Sequence, residues 1–370
     1  MRFISLVLLF FIFFSFTGPV TGQAKPGVSA HNAILIEQST GRVLYEKNGN
    51  DMESIASITK VMTAILAIES GKMNEKAAAS RKAIYTEGSS IYLEQGEKML
   101  IEDLVYGLML RSGNDAAIAI SEHIGGSEEG FVHLMNEKAR WLGMTNTNFD
   151  NPHGLDSDNH YSSAYDMALL MRYAMQDEEF RKVTGTTTYK SENRSYSWQN
   201  KNKLLTQLYE SCTGGKTGYT KKTGRTLISS ASKNGMDLIA VTLNAPDDWN
   251  DHISMYEWGF ENYEMETIIE KGEFQYIPKG SDGTQTGFIH NDIFYPLQGN
   301  EITNVDKKAY LLKKKHDAPS DIIGKTVFYL NDIPISEVLI YSGQDNGKKQ
   351  GFISEILSIY QKIIGLKNYG

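Results

Sequence analysis

The chain has 370 residues, of which 45 are acidic and 37 are basic, and its formal charge is −8. This negative balance argues against a nucleic-acid-binding protein, because phosphate recognition needs a basic surface that releases counterions. Hydrophobic residues make up 41%, enough for a full core, and the length suggests two domains or one large domain with an appendage. A single cysteine excludes an intramolecular disulfide and any zinc site built from several thiolates.

The N-terminal residues 1–24 have the pattern of a secretory signal peptide. Arg2 supplies a positive charge, residues 4–16 form an almost unbroken apolar stretch, and the small residues Gly22 and Ala24 suit cleavage by signal peptidase. The stretch is shorter than the roughly 18 apolar residues that a bilayer span needs, so a permanent N-terminal anchor is the less favoured alternative. We therefore expect the mature protein to act outside the cytoplasm.

Residues 25–265 alternate between helical and strand patterns. The predicted elements, in chain order, are a β-hairpin formed by residues 33–36 and 42–45, helices over 60–70, 103–124 and 128–142, strands over 225–231 and 237–243, and a last helix closed by residues 258–260. Glycines mark helix ends, with Gly71 after the first helix and Gly143 after residue 142. Asn234-Gly235 is a hairpin-turn signal between the two strands. The order indicates helices layered on an antiparallel sheet.

Residues 266–345 are rich in strand patterns. The clearest hairpin there consists of residues 325–330 and 334–341, joined by Asn331-Asp332. Nothing in this region resembles catalytic chemistry. We therefore expect a separate, smaller β domain that follows the helix-and-sheet domain of residues 25–265.

The last segment, residues 346–370, has the pattern of an amphipathic helix. After Lys348 and Lys349, apolar residues recur mainly at spacings of three and four from Phe352 to Leu366. The segment is too short and too polar to cross a bilayer, but it suits a helix in the membrane interface, where each nearby lysine contributes roughly 1 kcal/mol on an anionic leaflet. A terminal helix docked on the β domain has the same periodicity and is the alternative. The prediction is an exported protein attached peripherally to the outer face of the cytoplasmic membrane.

The first chemical motif is Ser57-Ile58-Thr59-Lys60, at the start of the helix predicted over 60–70. A serine and a lysine three residues apart share one face of a helical turn. A serine hydroxyl becomes a nucleophile when a base takes its proton, and a lysine amine is such a base when burial or a neighbouring cation lowers its pKa. The pattern is common by itself, since Ser230-Ala231-Ser232-Lys233 matches it at a strand end, where the two side chains would not converge.

Two further motifs distinguish the first motif from its chance matches elsewhere in the sequence. Ser112-Gly113-Asn114 lies at a glycine-marked break in the helical stretch, and Lys216-Thr217-Gly218 precedes the strands at 225 and 237. Each motif has decoys, such as Ser157-Asp158-Asn159 and Lys222-Thr223-Gly224. The order along the chain, with a helix start, an interhelical turn and a strand as the three settings, selects the first set. Together, S-x-x-K, S-D-N and K-T-G are the signature of β-lactamases and penicillin-binding proteins. Ser112-Gly113-Asn114 keeps the serine and the asparagine of the second motif.

The chain resembles the low-molecular-mass penicillin-binding proteins, which are serine-type D-alanyl-D-alanine carboxypeptidases. The resemblance extends from about Ser29 to Tyr263, and residues 110–117, 151–156 and 215–220 strengthen it. Runs such as Ala64 to Met73 and Lys201 to Leu205 are most similar to the sporulation-type enzymes of endospore-forming bacteria, which trim cortex peptidoglycan. The resemblance implies an α/β fold of the β-lactamase/DD-peptidase type, with an antiparallel five-stranded sheet flanked by helices. A small C-terminal β domain and a terminal amphipathic helix would follow.

The resemblance also implies catalytic roles. Ser57 would attack the carbonyl between the last two D-alanines of a peptidoglycan stem pentapeptide and form an acyl-enzyme. Lys60, kept neutral by the nearby positive Lys216, would accept the proton, although the acylation base is disputed in related enzymes. Ser112 would relay the proton to the departing amine. β-Lactam antibiotics would acylate Ser57 in the same way and act as inhibitors.

Further residues are implied to bind the substrate. Asn114 would hold the substrate's peptide bond with its side-chain amide, Lys216 would supply positive charge, and Thr217 would offer a hydroxyl to the terminal carboxylate. Gly218 would let the substrate backbone pair with the strand. The N–H groups of the nucleophile and of Tyr219 would form an oxyanion hole, whose donors are typically worth ~3 kcal/mol each.

One feature of the family is missing from the sequence. An arginine beyond the last long strand often helps to hold the substrate carboxylate, but residues 246–251 contain no arginine. Arg225 is a possible substitute, and a plain surface position on the strand is its alternative.

Other functions on the same fold stay open. Class A β-lactamases use a glutamate between the second and third motifs, and residues 150–166 contain none. A DD-endopeptidase or a transpeptidase would share the acyl-enzyme and differ in the acceptor. A non-enzymatic wall-binding protein would not need three intact motifs.

No metal and no cofactor is expected. His123, His133 and His160 do not have metal-ligand spacing. Gly215-Lys216-Thr217 is not part of a P-loop, because Glu210 stands where that motif needs a glycine. The expected partners are the peptidoglycan stem peptide, β-lactams and a membrane surface, without nucleic acid, and the oligomeric state is not predicted.

Overall fold

The structure is a computed structural model that describes residues 25–276, 283–312 and 321–343. The predicted signal peptide (1–24) and the predicted amphipathic helix (346–370) lie outside the described residues. Within the described ranges, no helix is both long enough and apolar enough to cross a membrane.

Helices and strands alternate through the first domain, and strands dominate after it. The helices of the described ranges are α1 (Lys60–Glu69), α2 (Arg81–Ile84), α3 (Ile101–Arg111), α4 (Asn114–Gly125), α5 (Glu128–Leu142), α6 (Ala164–Ala174), α7 (Glu178–Thr184) and α8 (Asp248–Asn262). The strands are β1 (Asn32–Glu37), β2 (Val43–Lys47), β3 (Lys76–Ala78), β4 (Lys98–Leu100), β5 (Thr188–Tyr189), β6 (Trp198–Gln199), β7 (Cys212–Thr220), β8 (Gly224–Lys233), β9 (Met236–Leu243), β10 (Glu264–Ile269), β11 (Gly272–Tyr276), β12 (Gln285–Ile289), β13 (Ile293–Leu297), β14 (Val305–Leu311), β15 (Ile322–Leu330) and β16 (Ile333–Tyr341).

A five-stranded antiparallel sheet forms the centre of the first domain, in the order β2-β1-β9-β8-β7. The hairpin predicted near residues 33–45 is confirmed as β1 and β2, and the hairpin predicted around Asn234-Gly235 is confirmed as β8 and β9. Both turn residues have positive φ, 52° at Asn234 and 79° at Gly235, as a tight turn between twisted strands requires. The predicted fold class, helices on an antiparallel five-stranded sheet, is confirmed.

Both faces of this sheet are covered, because side chains alternate along each strand. On β1, Ile34 and Ile36 join the large core that includes α1 and α3 to α7. Leu35, between them, joins the core on the opposite face with Met255 and Tyr256 of α8. The sheet is therefore the middle layer of three, and strands β7 and β8 reach the site from between the helical layers.

Local sequence sets the helix ends. Ser127 accepts a hydrogen bond from the N–H of Gly130, and Gly143 has a φ of 78°, so α5 begins and ends at the predicted residues 128 and 142. The helical stretch 103–124 is divided where predicted, because Ser112 takes a left-handed conformation (φ 64°) after Arg111. This break ends α3 and allows α4 to start in a new direction at Asn114.

The second domain consists of strands. β11-β12-β16-β15-β14 form an antiparallel sheet, and β10 pairs with β13. Phe274, Ile289, Phe328 and Ile340 contribute to its small core. The predicted hairpin near residues 325–341 is confirmed as β15 and β16. α8 ends before β10, so the domain boundary predicted after residue 265 falls within β10.

Arg42 connects the two domains at the start of β2. Its guanidinium donates to both carboxylate oxygens of Glu301, at 2.9 and 2.8 Å, and to the carbonyl oxygen of Pro296. It also lies over the rings of Tyr263 and Tyr295, 5.1 and 5.3 Å from their centroids. This contact fixes the β domain to the sheet edge farthest from β7.

Candidate active site

The nucleophile candidate lies in a short 3₁₀ turn, Ala56–Thr59, that leads directly into α1. The turn places the side chain of Ser57 on the same side as Lys60, the first residue of α1. The distance from Lys60 Nζ to Ser57 Oγ is 3.0 Å. The two residues of the first motif are therefore in hydrogen-bond contact.

The Lys60 amine is fully buried and faces three oxygen atoms. Besides Ser57 Oγ, these are Asn114 Oδ1 at 2.7 Å and the carbonyl oxygen of His153 at 2.5 Å. A neutral amine has two N–H donors and one lone pair. The amide and carbonyl oxygens accept hydrogen bonds only, so they take both donors and leave the lone pair for the hydroxyl proton of Ser57. This is the arrangement that a general base needs.

Electrostatics also favour the neutral amine. The pKa of Lys60 is lowered well below its ordinary value, first by burial and then by the charges of Lys216 and Lys201, against a smaller opposing effect of Asp115. The sequence led us to attribute this neutrality to Lys216, but burial is the larger cause. Lys216 is itself buried, and burial together with Lys201 lowers its pKa to about 7.

Strand β7 carries the third motif against the nucleophile turn. Lys216 pairs in register with Ile228 of β8, and its Nζ donates to the carbonyl oxygen of Thr217 at 2.6 Å. A Cβ atom added to Gly218 would lie 2.9 Å from the backbone nitrogen of Ser57. The absence of a side chain at Gly218 therefore lets β7 approach the Ser57 N–H. This is a second reason for a glycine at this position, besides the substrate pairing expected from the sequence. Tyr219, the next residue, is 65% exposed.

The second motif supplies the far wall of the site. Ser112 is buried and ends α3, and Asn114 begins α4. The side chain of Asn114 is engaged at both ends, since Oδ1 accepts from Lys60 and Nδ2 donates to the carbonyl oxygen of Glu87 at 2.5 Å. The roles of Ser112 in proton relay and of Asn114 in substrate binding stay predictions.

Comparison with known proteins identifies this arrangement. The model of the peptidase S11 family, described as D-alanyl-D-alanine carboxypeptidase, matches residues 20–247, more than half of the chain. The chain is 37% identical over 344 residues to D-alanyl-D-alanine carboxypeptidase DacF of Bacillus subtilis, covering 88% of this chain and 87% of the relative. The chain belongs to the D-alanyl-D-alanine carboxypeptidase family.

Solved structures agree with this assignment. Penicillin binding protein 5 from Haemophilus influenzae superposes with a TM-score of 0.72 at 29% identity, covering 86% of this chain and 98% of that one. Penicillin binding protein 6B from Escherichia coli gives a TM-score of 0.68 at 26% identity, covering 87% and 98%. The resemblance inferred from the motifs is confirmed, and the chain is a serine-type carboxypeptidase, a hydrolase that acts on peptidoglycan.

Lys201 is a residue of the carboxypeptidase site that no motif marks. It precedes the π-helical turn Leu204–Leu208, and its Nζ donates to Ser89 Oγ at 3.2 Å. Its charge lowers the pKa values of both Lys60 and Lys216, and its own pKa is lowered by partial burial and by Arg111. The run Lys201 to Leu205, noted above for its similarity to relatives, was the only sequence signal for this residue.

Arg225, which the sequence offered as a binder of the substrate carboxylate, is paired with another residue of the carboxypeptidase. Its Nε donates to Asp248 Oδ1 at 2.9 Å, and its guanidinium lies 5.9 Å from the ring centroid of Trp249. Asp248 is buried and Arg225 is partly exposed, so the ion pair joins β8 to the start of α8. The interaction that the structure gives Arg225 is therefore with α8.

The loop of residues 150–160 closes the site beside Lys60. His153 presents its carbonyl oxygen to Lys60, while its Nδ1 accepts from the N–H of Leu155 at 3.2 Å. Burial lowers the pKa of His153 to about 3. Asp156 accepts from Thr220 and Thr223 at 3.0 and 2.8 Å and so ties this loop to the β7–β8 turn. His153 therefore acts in the loop as a hydrogen-bonded, neutral side chain.

Among the described residues, no group of three or more His, Cys, Asp or Glu side chains could hold a metal ion.

Proposed function

We propose that Ser57 carries the acyl group during removal of the terminal D-alanine. Its Oγ attacks the carbonyl carbon between the two D-alanines as the Ser57 proton passes to the lone pair of Lys60. The C–N bond then breaks, the proton held by Lys60 passes through Ser112 to the departing amine, and D-alanine leaves while the shortened peptide stays as an ester on Ser57. Water attacks the ester carbonyl carbon, the bond from that carbon to Ser57 Oγ breaks, the shortened peptide leaves as a carboxylic acid, and a proton returns to Ser57 Oγ. The observation that carries this proposal is the buried Lys60 amine, 3.0 Å from Ser57 Oγ, with both of its N–H donors engaged elsewhere.

We infer that Lys201 takes the place of the missing arginine in binding the substrate carboxylate. Within the described residues Lys201 has a hydrogen bond to Ser89 but no ion pair, whereas Arg225 is paired with Asp248. Lys201 is accessible to solvent, and its charge lies close enough to Lys216 to lower the pKa of that residue. A carboxylate bound beside Thr217 would thus meet two cations.

We also infer that the carboxypeptidase binds penicillin covalently at Ser57. Two similar structures are named as penicillin binding proteins, and a β-lactam carbonyl presents the same electrophile to the same nucleophile. Incubation of the protein with labelled penicillin should label Ser57, and incubation with a D-Ala-D-Ala peptide should release free D-alanine. Ser57→Ala should abolish both, while Ser230→Ala, which changes the decoy motif, should leave labelling intact. A label on Ser230 or Ser112 would contradict the assignment.

The same experiment, with a cross-linked peptide as a third substrate, separates the other candidate reactions. A carboxypeptidase releases D-alanine and keeps the penicillin label for a long time. Rapid loss of the label with hydrolysed penicillin in solution would indicate a β-lactamase. Cleavage of cross-linked peptides without release of D-alanine would indicate an endopeptidase.

We propose that the protein is exported and held on the outer face of the cytoplasmic membrane, or of the forespore membrane in sporulating cells. The pattern of residues 1–24 and the amphipathic pattern of residues 346–370 support this placement. The resemblance of residues 64–73 and 201–205 to the sporulation-type enzymes supports a role in spore peptidoglycan. Deletion of the residues after Gly347 should move the protein to the soluble fraction with unchanged carboxypeptidase activity. A truncated protein that still sediments with anionic vesicles would refute the anchor.

A further inference from the structure

The residue before the nucleophile has an unusual backbone conformation. Ala56 has a φ of 48°, in the left-handed region that residues with a Cβ rarely adopt. Such a conformation persists only where surrounding contacts determine it. The carbonyl group of Ala56 receives such a contact, because Thr59 Oγ1 donates to its oxygen at 2.8 Å.

Thr59 is in turn held by His160, which lies 101 residues away in the sequence. Thr59 Oγ1 and His160 Nε2 are 2.7 Å apart, and the N–H of Asp150 donates to His160 Nδ1 at 3.0 Å. Because Nδ1 accepts a hydrogen bond, the neutral imidazole carries its proton on Nε2. The contacts therefore form a one-way chain in which the Asp150 N–H donates to His160, His160 donates to Thr59, and Thr59 donates to the Ala56 carbonyl.

The surroundings keep this chain in place. His160 is 2% exposed, and its ring meets that of Phe149 edge to face, with centroids 5.9 Å apart. Burial lowers the pKa of His160 to about 4, so the ring stays neutral near pH 7. From the other side, Gly154 packs so closely that an added Cβ would lie 2.0 Å from the Ala56 oxygen. Thr226 Oγ1 donates to the carbonyl oxygen of Ile55 at 3.0 Å.

We propose that His160 is a positioning residue for the nucleophile, acting through Thr59 on the left-handed turn at Ala56 to aim Ser57 at Lys60. The hydrogen bonds of the His160 ring go to Thr59 and Asp150 and not to Ser57 or the Lys60 amine, so its effect is on geometry. The proposal rests on Ser57 being the nucleophile, as argued above. It predicts that loss of the chain slows acylation while the non-covalent affinity for penicillin persists, because β7 and Lys201 are unchanged.

The test measures the acylation rate constant and the non-covalent dissociation constant for penicillin separately. His160→Leu and Thr59→Val should each slow acylation by about 10- to 100-fold, since a small misplacement of reacting atoms costs about that much. The dissociation constant should change less than about 3-fold. His160→Gln and Thr59→Ser keep a donor or a hydroxyl at these positions and should restore most of the rate. If the His160→Leu variant does not fold, the test is the comparison of acylation rates between Thr59→Val and Thr59→Ser.

His252→Leu is the matched control. His252 is also completely buried and is also hydrogen-bonded at both ring nitrogens, to Ser229 Oγ at 2.7 Å and Thr242 Oγ1 at 3.0 Å. Its ring reaches from α8 to two strands of the sheet, so the variant should be less stable. If His160 supplies positioning rather than general stability, His252→Leu should keep the acylation rate within about 2-fold of wild type. The double variant of His160→Leu with Thr59→Val should be no slower than the slower single variant, because both changes break one chain.

Three results would overturn the inference: acylation at the wild-type rate in both His160→Leu and Thr59→Val, an equal slowing in His252→Leu, or multiplicative effects in the double variant. None of these results would contradict the assignment of Ser57 as the nucleophile, because the Ser57→Ala variant tests that assignment separately. Conversely, a penicillin label on another residue would end the proposed function and this inference together.

Discussion

At the scale of single residues, three lysines determine the chemistry of the site. Lys60 is buried with its pKa well below the ordinary value, Lys216 is buried with a pKa lowered to about 7, and the charge of Lys201 lowers both values. A positive charge on one lysine disfavours a positive charge on its neighbours, and burial disfavours the charged form of each amine. The amine with the lowest pKa is therefore the first to lose its proton as the pH rises. One amine can therefore act as a base while its neighbours stay available to attract the substrate carboxylate.

This arrangement predicts a dependence on pH. Acylation needs Lys60 neutral, so the second-order rate constant should rise as pH rises through the pKa of Lys60. It also needs Lys216 charged, so the constant should fall as pH rises through about 7 in the free enzyme. Lys201→Gln removes a positive neighbour, which raises the pKa of Lys216 and moves the falling limb to higher pH. The measurement is the second-order rate constant of penicillin acylation over a pH range of about 5 to 10, which brackets the falling limb near 7.

Lys203→Gln is the control for this prediction. Lys203 is an exposed lysine two positions away, so the variant loses the same formal charge without changing the site. Its profile should match the wild type. A falling limb that stays in place in Lys201→Gln, or that moves equally in Lys203→Gln, would mean that Lys201 does not act on Lys216.

At the scale of elements, one carboxylate organises the wall of the site between α2 and β4. Asp115 is 1% exposed, and its oxygens accept from Ser90 Oγ at 2.6 Å and from the N–H groups of Ile91 and Leu93, each at 3.1 Å. Its position in the first turn of α4 also places a negative charge where the helix dipole favours it. The adjacent Ser89 contacts Lys201, so this segment shapes the cleft.

Removal of this carboxylate should therefore destabilise the domain. Asp115→Ala leaves several buried donors unpaired, at ~1–3 kcal/mol each, and we expect the free energy of unfolding to fall by about 3 kcal/mol or more. Asp115→Asn keeps one acceptor oxygen and should lose less. Urea unfolding followed by circular dichroism measures both, with the exposed Asp51→Ala as a control expected within about 0.5 kcal/mol of wild type. A loss in Asp115→Ala no larger than in Asp51→Ala would show that the segment does not depend on this carboxylate.

At the scale of the whole molecule, the Arg42–Glu301 contact joins the domains away from the site. The sheet order β2-β1-β9-β8-β7 puts Arg42 at one edge and the catalytic strand β7 at the other. Both side chains are largely covered, with exposures of 14% and 24%, and the pairing is bidentate. Such a pair should contribute more to the free energy of unfolding than an exposed ion pair does, because water screens less of its attraction.

A double-mutant cycle should show this difference. The coupling free energy between Arg42→Ala and Glu301→Ala, from urea unfolding, should be about 1–3 kcal/mol. The exposed pair Lys325–Glu337, 2.7 Å apart on β15 and β16, should give about 0–1 kcal/mol. The penicillin acylation rate should not change in Arg42→Ala, given the distance across the sheet. Equal coupling in both pairs, or slower acylation in Arg42→Ala, would contradict this view of the interdomain contact.

The amino-acid sequence by itself determined the chemistry and most of the elements. Periodicity and caps are local properties, so α5 and the hairpins at Asn234-Gly235 and Asn331-Asp332 were predictable from neighbouring residues. The three motifs predicted the nucleophile and indicated the family and the fold class, because their residue types and their order along the chain are a signature of β-lactamases and penicillin-binding proteins. The division of the helical stretch at Ser112 was also predictable from the glycine beside it.

Only the tertiary structure decided what surrounds those residues. Two acceptors of the Lys60 amine, Asn114 and His153, are separated from Lys60 by 54 and 93 positions in the sequence. His160, which contacts Thr59, is separated from it by 101 positions. Burial, the main cause of the lowered pKa of Lys60, is a property of the packed core. Lys201, which precedes the turn Leu204–Leu208, belongs to no motif. Arg225 was a sequence candidate for the carboxylate, yet packing of α8 on β8 gives it Asp248. Local patterns specify backbone conformation, whereas electrostatics and hydrogen bonding depend on distances that only the folded chain sets.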